Sequence, residues 1–206
     1  MTALSVAPVA DLATHAAAFA AAATGLDAEQ LLTTGIRREF PGRIALVSSF
    51  GAEAAVLLHM VSRIDPATPV IFLDTGKLFG ETLRYRDQLI ARLKLTDVRS
   101  IKPDEAAIAA ADPNGVLWQS NPDRCCFIRK VEPLERALSG FDAWINGRKR
   151  YHGGSRSALA PVEFAEGRVK LNPLAEWDAE RIQAYFTQHD LPHHPLEEDG
   201  YRSIGC

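Results

Sequence analysis

Two polar clusters that follow short apolar runs carry residue types suited to binding an anion. Residues 48–53 (SSFGAE) follow the run Ile44–Val47, and residues 74–76 (DTG) follow the run Val70–Leu73. Between the two runs, apolar side chains recur with helical spacing, so the pattern predicts a βαβ unit in a parallel sheet. Ligands of such sheets bind beyond the carboxyl ends of the strands, and the N-terminus of a helix attracts anions. We therefore expect an anionic, nucleotide-like ligand between these two loops.

Two other interpretations of these loops stay open at this point. The segment SSFGAE is also typical of an ordinary βα turn with a serine N-cap. The triplet Asp-Thr-Gly also occurs in aspartic proteases, where two aspartates share a proton. A protease would require an all-β fold and a second copy of the triplet, whereas this chain has one copy in a βαβ context. The protease interpretation is therefore disfavoured.

The adjacent residues Cys125 and Cys126 suggest redox or metal chemistry. The absence of a Cys-x-x-Cys spacing disfavours a zinc site. Adjacent thiolates can ligate an iron–sulfur cluster, and Arg129 and Lys130 would lie near the resulting negative charge on a helix. The alternative is that both cysteines are small apolar residues packed in the interior.

A basic, glycine-containing loop follows a strand predicted over residues 143–146. Its four cations lie within nine positions, where they are suited to clamping a phosphate or a sulfate: Arg148, Lys149, Arg150 and Arg156. The alternative is a solvated charge run. His193 and His194 lie in a proline-rich segment, and we expect them to be exposed rather than to bind a metal.

The composition excludes several classes of function. The chain has 206 residues, of which 47% are apolar and 24% are charged, and this suits one globular domain. Its net charge of -3 provides no broad basic surface for nucleic acid. No apolar run approaches the ~20 residues that span a membrane, and the N-terminus lacks the features of a signal peptide. Three cysteines, two of them adjacent, do not form a disulfide framework, so we expect a cytoplasmic protein.

The remaining elements follow from periodicity, caps and turn residues. Strands are predicted over residues 97–101 and within a hairpin over residues 162–171 that turns at Glu166 and Gly167. Residues 112–123 are expected to form a loop, and the chain from Leu191 onward is expected to be irregular. Helices are predicted over residues 7–23, 27–40 with Asp27 as N-cap, 80–95, 105–111, 125–138 and 178–189 with Asp178 as N-cap. We expect residues 1–40 to form an N-terminal helical segment and residues 41–206 to form the ligand-binding unit.

Taken together, these stretches resemble the assimilatory sulfonucleotide reductases, the family of adenylyl-sulfate (APS) and phosphoadenylyl-sulfate (PAPS) reductases. The resemblance runs in family order from about residue 44 to the end of the chain. It implies an α/β fold of the adenine-nucleotide α-hydrolase-like type, in which one domain has a mostly parallel central sheet flanked by helices. The matching stretches are SSFGAE, LDTGKLFGET, CCFIRKVEPL, AWINGRKR with the following SR, KLNPLAEW and GYRSIGC.

The resemblance also implies roles for individual residues. Lys130 would lie between a cofactor and the substrate as a supporting catalytic residue. The cofactor would be a [4Fe-4S] cluster, typical of the APS-reducing branch, with the ligands Cys125, Cys126 and Cys206. The substrate-binding residues would be Ser48, Ser49, Phe50, Gly51 and Glu53 beside the phosphosulfate, Leu73, Asp74, Thr75 and Gly76 beside the adenosine, together with Lys130, Arg150 and Arg156.

The implied reaction is the reduction of APS to sulfite and AMP in sulfate assimilation. A cysteine thiol attacks the sulfur of the substrate, and thioredoxin or glutaredoxin then releases sulfite. In the family this nucleophile lies in a tail beyond S-I-G-C-x-x-C, whereas this chain ends at Cys206. We therefore expect a reductase domain truncated before its catalytic tail, without the nucleophile and without the fourth cluster ligand. Three alternatives remain: a PAPS reductase, a dual-substrate enzyme, and a catalytically dead nucleotide-binding protein; homo-oligomerisation also stays open.

Overall fold

A computed structural model describes residues 9–150, 159–201 and 204 of the chain. The described residues form a six-stranded sheet with the order β3-β2-β1-β4-β6-β5. All neighbouring strands are parallel except β5, which pairs with β6 in the antiparallel sense. This arrangement confirms the predicted, mostly parallel sheet. The strands are β1 (Ile44–Val47), β2 (Val70–Leu73), β3 (Val98–Ile101), β4 (Ala143–Ile145), β5 (Val162–Ala165) and β6 (Arg168–Leu171).

Helices cover both faces of this sheet. In the described residues, none of them has the length and the apolar character needed to cross a bilayer. They are α1 (Val9–Ala22), α2 (Ala28–Thr34), α3 (Ala54–Ile64), α4 (Gly80–Leu93), α5 (Glu105–Ala111), α6 (Leu117–Ser120), α7 (Pro122–Cys126), α8 (Glu132–Leu138), α9 (Ala179–His189) and α10 (Pro195–Glu198), with π-helical segments at Gly35–Glu39 and Phe127–Val131.

Two segments that the sequence analysis treated as irregular contain short helices. Helix α6 and the start of α7 lie within residues 112–123, and α10 lies beyond Leu191. Both predictions were wrong for a shared physical reason. The Asp112 carboxylate accepts a hydrogen bond from the Leu117 N–H, and the His194 side chain accepts one from the Leu196 N–H. Side-chain contacts of this kind stabilise turns that are too short to show a hydrophobic period.

Several helix ends and turns follow directly from residue type. The side chains of Asp27 and Asp178 accept hydrogen bonds from the N–H groups of Gln30 and Arg181, which confirms both predicted N-caps. Residues 166 and 167 have φ values of 55° and 73°, and two successive positive φ values are those of a type I′ hairpin turn. The predicted hairpin over residues 162–171 is therefore confirmed.

The helix that carries the cysteine pair contains a proline and is nevertheless continuous. Helix α7, the π-helical segment Phe127–Val131 and α8 follow one another without a break. Pro133 has no N–H group, and in a regular α-helix its ring would clash with the carbonyl group of residue 129. The wider π-helical turn lies just before this proline, where it makes room for the ring.

Two apolar layers hold the sheet between its helices. Alternate residues of β1 point in opposite directions, so Ile44 and Leu46 belong to the main core, and Ala45 belongs to a smaller core with Ile71, Leu138 and Phe141. The N-terminal helices join the main core through side chains that include Leu12, Phe19 and Leu32. Residues of this N-terminal part therefore share their core with the rest of the chain.

The strand order creates a switch point at β1. From β1 the chain continues to β2 and β3 on one side of the sheet, and it then crosses to β4 on the other side. Ligands of doubly wound sheets bind in the crevice where the connections diverge in this way. At the opposite end of these strands, the Arg43 guanidinium donates hydrogen bonds to the Asp142 carboxylate and holds β1 beside β4.

Candidate functional site

The loop after β1 is anchored by a buried phenylalanine. Phe50 has a φ of 50°, an unusual value for a residue with a bulky side chain. Its ring is fully buried and packs edge-on against Phe72, with 5.4 Å between the ring centroids. The Ser48 hydroxyl accepts a hydrogen bond of 3.2 Å from the Phe50 N–H. The aromatic side chain therefore lies in the core, and the backbone of this loop faces outward.

Gly51 allows the C-terminal part of the chain to approach this loop. A Cβ atom at position 51 would lie 3.0 Å from the carbonyl oxygen of Ile204 and 3.3 Å from the Ser49 hydroxyl. Because real Cβ atoms rarely come this close to a backbone oxygen, any larger residue would push the two segments apart. The carboxyl end of β1 and the residues near the chain terminus therefore form one surface.

A cleft of about 780 Å³ opens at the β1/β4 switch point. This volume lies within the range of sites that hold small molecules. The N-terminus of α3 borders the cleft, and the positive end of its helix dipole favours an anion there. The cleft is lined by Leu46, Val47, Ser48, Ser49, Gly51, Ala52, Glu53, Ala54, Leu57, Gly147, Arg148, Lys149, Leu174, Ala179, Gln183, Glu197, Tyr201 and Ile204.

An ion pair joins the two sides of the cleft. Lys149, in the loop after β4, is 4% exposed, and its ammonium group donates a hydrogen bond to the Glu53 carboxylate at the start of α3. Arg148 lines the same cleft and is exposed. The cleft therefore contains one cation held by a carboxylate and a second cation that solvent and an anionic ligand can reach.

The described residues of the predicted basic clamp do not all line the cleft. The Arg150 guanidinium donates hydrogen bonds to the Leu159 carbonyl group and to the Glu176 carboxylate, and Arg150 does not line the cleft. Arg156 lies outside the described residues. Among the described cations of this loop, Arg148 and Lys149 face the cleft, and Arg150 stabilises the loop behind it.

The loop after β2 is close to the β1 loop, yet residues 73–76 do not line the cleft. The sequence analysis placed the ligand between the β1 and β2 loops, whereas the cleft lies between the β1 and β4 loops. Thr75 is buried, and its carbonyl group accepts a hydrogen bond of 2.7 Å from the Arg129 guanidinium. Asp74 accepts a bond from the Gly76 N–H in a tight turn. The β2 loop is therefore an ordered neighbour of the cleft.

The helix with the cysteine pair is attached to the β2 loop through Arg129. This residue is 5% exposed and also pairs with the buried carboxylate of Asp112, at 2.7 Å. The hydrogen bond from Arg129 lowers the pKa of the Asp112 carboxyl group, which keeps this partner charged. Arg129 therefore holds the cysteine-bearing helix at a fixed distance from the β2 loop.

The two cysteines differ in their exposure. Cys125 is buried and Cys126 is exposed, and in the described part of the chain both are free thiols. Lys130 lies half-buried one helical turn further along. No group of three or more His, Cys, Asp or Glu side chains in the described residues has the geometry of a metal site. Cys206, the third predicted ligand, lies outside the described residues.

The sequence analysis missed one wall of the cleft. Leu174, Ala179 and Gln183 come from the β6–α9 region, and Glu197 comes from the region of α10. Their residue types carry no signal for a binding site. Leu174 belongs to the KLNPLAEW stretch, and Tyr201 and Ile204 belong to the GYRSIGC stretch, so the family motifs were the available indication of this wall.

A family model described as the phosphoadenosine phosphosulfate reductase domain matches residues 43–206. The chain belongs to this family. The membership confirms the family predicted from the motifs, and the relatives described next are named as reductases, which confirms the prediction of an oxidoreductase at the level of the family.

Two curated relatives are named for different substrates. The chain is 50% identical over 194 residues to the adenosine 5'-phosphosulfate reductase of Mesorhizobium japonicum, covering 91% of this chain and 76% of the relative. It is 43% identical over 183 residues to the phosphoadenosine 5'-phosphosulfate reductase of Alkalilimnicola ehrlichii, covering 86% of this chain and 75% of the relative. The chain thus spans about three quarters of the length of each relative.

Solved structures agree with this family. A crystal structure of phosphoadenylyl-sulfate (PAPS) reductase from Candida auris, in a phosphate complex, superposes with a TM-score of 0.77 at 28% identity, covering 99% of this chain and 97% of that one. The NMN synthetase of Francisella tularensis shares the fold, with a TM-score of 0.56 at 12% identity over 90% of this chain and 81% of its own. The predicted adenine-nucleotide α-hydrolase-like fold is therefore confirmed.

Proposed function

We propose that this protein reduces adenylyl sulfate (APS) to sulfite and AMP in sulfate assimilation. One observation carries the proposal: a cleft with a helix N-terminus and two cations lies at the β1/β4 switch point of a chain that is 50% identical to a relative named adenosine 5'-phosphosulfate reductase. The phosphosulfate of APS is an anion of the size and charge that such a cleft favours.

The chain's own residues would bind and orient the substrate. The phosphosulfate would lie against the backbone of residues 48–53, with Arg148 facing its charge and Lys149 held beside it by Glu53. The adenosine would extend toward the β2 loop, residues 73–76, which Arg129 holds in place. Lys130 would support the reaction, Arg150 would position the basic loop, and Arg156 would add a further cation. Phe50 would act through its backbone, because its ring lies in the core.

In the proposed reaction, a dithiol supplies the two electrons that reduce APS to sulfite. A cysteine thiolate attacks the sulfur of APS, an S–S bond forms, and the S–O bond to AMP breaks. A thiolate of thioredoxin or glutaredoxin then attacks the cysteine sulfur of this S-sulfocysteine and expels sulfite. The second thiol of the reductant resolves the mixed disulfide, so the dithiol is oxidised and the enzyme thiol returns.

A [4Fe-4S] cluster fits the donor set of the cysteine-bearing helix. Cys125 and Cys126 are neighbouring free thiols, and thiolates are the ligands that such clusters use. We propose that these two residues and Cys206 hold the cluster. When bound, it would supply an iron–sulfur centre that keeps its cysteine ligands deprotonated and adds charge near Lys130. We further propose a cytoplasmic location, where thiols stay reduced.

A PAPS reductase is the second candidate function. It is favoured by the relative from Alkalilimnicola ehrlichii and by the structure from Candida auris, both of which are named as PAPS reductases. The two substrates differ in a 3′-phosphate group. If that phosphate improves sulfite release, PAPS is the substrate, and if it abolishes sulfite release, APS is the substrate.

Ligand binding and sulfite release test the proposal together. Calorimetric titration of the chain with AMP, APS and PAPS should show saturable binding of AMP and APS, and Arg148→Ala should weaken the binding of APS more than that of AMP. Sulfite release from APS with thioredoxin should be measured on the protein's full natural reading frame. Binding without sulfite release there would favour a catalytically dead nucleotide-binding protein. An absence of nucleotide binding would refute the proposal.

The cofactor has its own measurement. The anaerobically purified protein should absorb broadly near ~400 nm and contain about four irons with matching sulfide per chain. Cys125→Ser should remove this absorption. A colourless, iron-free protein that binds AMP would refute the cluster and leave the nucleotide site in place.

A further inference from the structure

His194 is fully buried, although it lies in a polar, proline-rich segment. The sequence analysis expected both histidines of this segment to be exposed. That expectation was wrong for His194, whose ring packs edge-on against Tyr85 of α4, with centroids 4.9 Å apart. His193 is exposed and stacks on Phe186. The burial of one polar ring requires that both of its nitrogen atoms find partners.

The two ring nitrogens of His194 bond to two different elements. Nδ1 lies 3.2 Å from the Leu196 backbone nitrogen, whose N–H can only donate, so Nδ1 accepts and carries no proton. In the neutral ring the proton is then on Nε2, which lies 3.1 Å from the Thr82 hydroxyl of α4. Burial lowers the pKa of His194 and so favours this neutral form. One side chain therefore caps α10 and attaches it to α4.

The segment that begins at His194 forms a wall of the cleft. Glu197, Tyr201 and Ile204 all line the cleft and all follow His194 within about ten residues. The Tyr201 N–H donates a hydrogen bond to the Leu196 carbonyl group, so residues 196–201 form a compact turn. Helix α4 makes a second attachment nearby, where the Tyr85 hydroxyl donates to the Pro192 carbonyl group at 2.7 Å.

We infer that His194 is a positioning residue that sets the width of the nucleotide cleft by fixing the wall of residues 195–201 to α4 through Thr82. This inference rests on the proposed function. His194 and Thr82 do not line the cleft, so their effect on a ligand passes through the wall. Loss of the Thr82–His194 hydrogen bond is therefore expected to weaken ligand binding in addition to lowering the stability of the fold.

Isosteric threonine variants test the attachment with AMP as the probe. Thr82→Val keeps the shape of the side chain and leaves Nε2 without its partner, and Thr82→Ser restores a hydroxyl group. Thr68→Val is the matched control, because Thr68 is also buried and its hydroxyl has no partner among the described residues. The dissociation constant for AMP should rise about tenfold in Thr82→Val and stay within twofold of the wild type in Thr82→Ser and Thr68→Val.

His194→Asn separates the cap from the attachment. Asparagine is a good N-cap residue, but it is too short to reach Thr82, so this variant should keep α10 and still weaken AMP binding about tenfold. Melting temperatures should be recorded for all four variants to show that they are folded. A twofold or smaller change in the AMP dissociation constant of folded Thr82→Val and His194→Asn would overturn the inference.

A measurement on the wild-type chain covers the case in which the variants do not fold. Amide hydrogen exchange of peptides spanning residues 195–201 should slow when AMP binds, because a wall that contacts the ligand is held more tightly. Unchanged exchange in these peptides, with slowing in the β1 loop, would refute the inference and leave the proposed function standing. If the wild-type chain binds neither AMP nor APS, the proposed function itself fails.

Discussion

The Phe50→Gly variant should have a free energy of unfolding at least as large as that of Phe50→Ala. This is the reverse of the usual order of glycine and alanine. Phe50 is fully buried, so replacing it with alanine should cost about 3–5 kcal/mol through the lost burial and the cavity left behind. For a chain of 206 residues this corresponds to a fall in melting temperature of roughly 7–12 °C. The backbone adds a second effect, because φ is 50° at this position.

The backbone effect can be isolated by comparing alanine with glycine. In the left-handed backbone conformation, a residue with a Cβ atom is destabilised by about 1 kcal/mol or more, and glycine is not. This offsets the ~0.5–1 kcal/mol by which glycine is usually the less stable of the two. Phe72, whose ring contacts Phe50, provides the matched control, because it lies in β2 without a positive φ. At position 72, the Phe72→Gly variant should have a free energy of unfolding about 1 kcal/mol lower than that of Phe72→Ala.

The assay is equilibrium denaturation of the four single variants with urea, monitored by circular dichroism and fluorescence. The expected result is that Phe50→Gly unfolds at the same or a higher urea concentration than Phe50→Ala, while Phe72→Gly unfolds at a lower concentration than Phe72→Ala. If glycine lowers stability equally at both positions, Phe50 does not have a left-handed backbone in solution. The argument that its strained turn presents the loop backbone to the cleft would then be refuted.

Two further predictions concern pH and the closeness of two segments. Burial, with help from neighbouring cations, lowers the pKa of His59 to about 4, below the ~6.5 of an unfolded chain. The unfolded chain therefore binds the extra proton first, so this stabilisation is complete above pH 6.5 and is lost as the pH falls toward 4. Urea denaturation should show a free energy of unfolding that is about 1 kcal/mol lower at pH 5 than at pH 7.5, after allowance for the partial solvent exposure of His59. The His59→Gln variant should lose less stability between these two pH values. An equal loss in this variant would contradict the assignment to His59. Gly51→Ala should weaken AMP binding several-fold, because its Cβ would lie 3.0 Å from the Ile204 carbonyl oxygen, whereas Gly140→Ala has open space and should bind normally. If calorimetry gives the same AMP affinity for Gly51→Ala and the wild type, Ile204 does not lie against the β1 loop.

The sequence alone determined the local elements that depend on a residue's immediate neighbours. Strands β1 and β2 were predicted with their observed bounds, because strands buried on both faces of a parallel sheet consist of unbroken apolar runs. The caps Asp27 and Asp178 and the turn at residues 166–167 were also predictable, since each depends on hydrogen bonds or backbone angles within a few residues. The motifs also identified the family.

Only the tertiary structure decided which of these elements meet. The sequence contains the β1, β2 and β4 loops, but the strand order makes β1 the neighbour of both β2 and β4, and the cleft lies on the β4 side. The burial of His194 depends on Thr82, which is 112 residues away in the chain. Contacts over such distances are fixed by packing of the whole chain, because no local spacing records which strand or helix will lie beside a given residue.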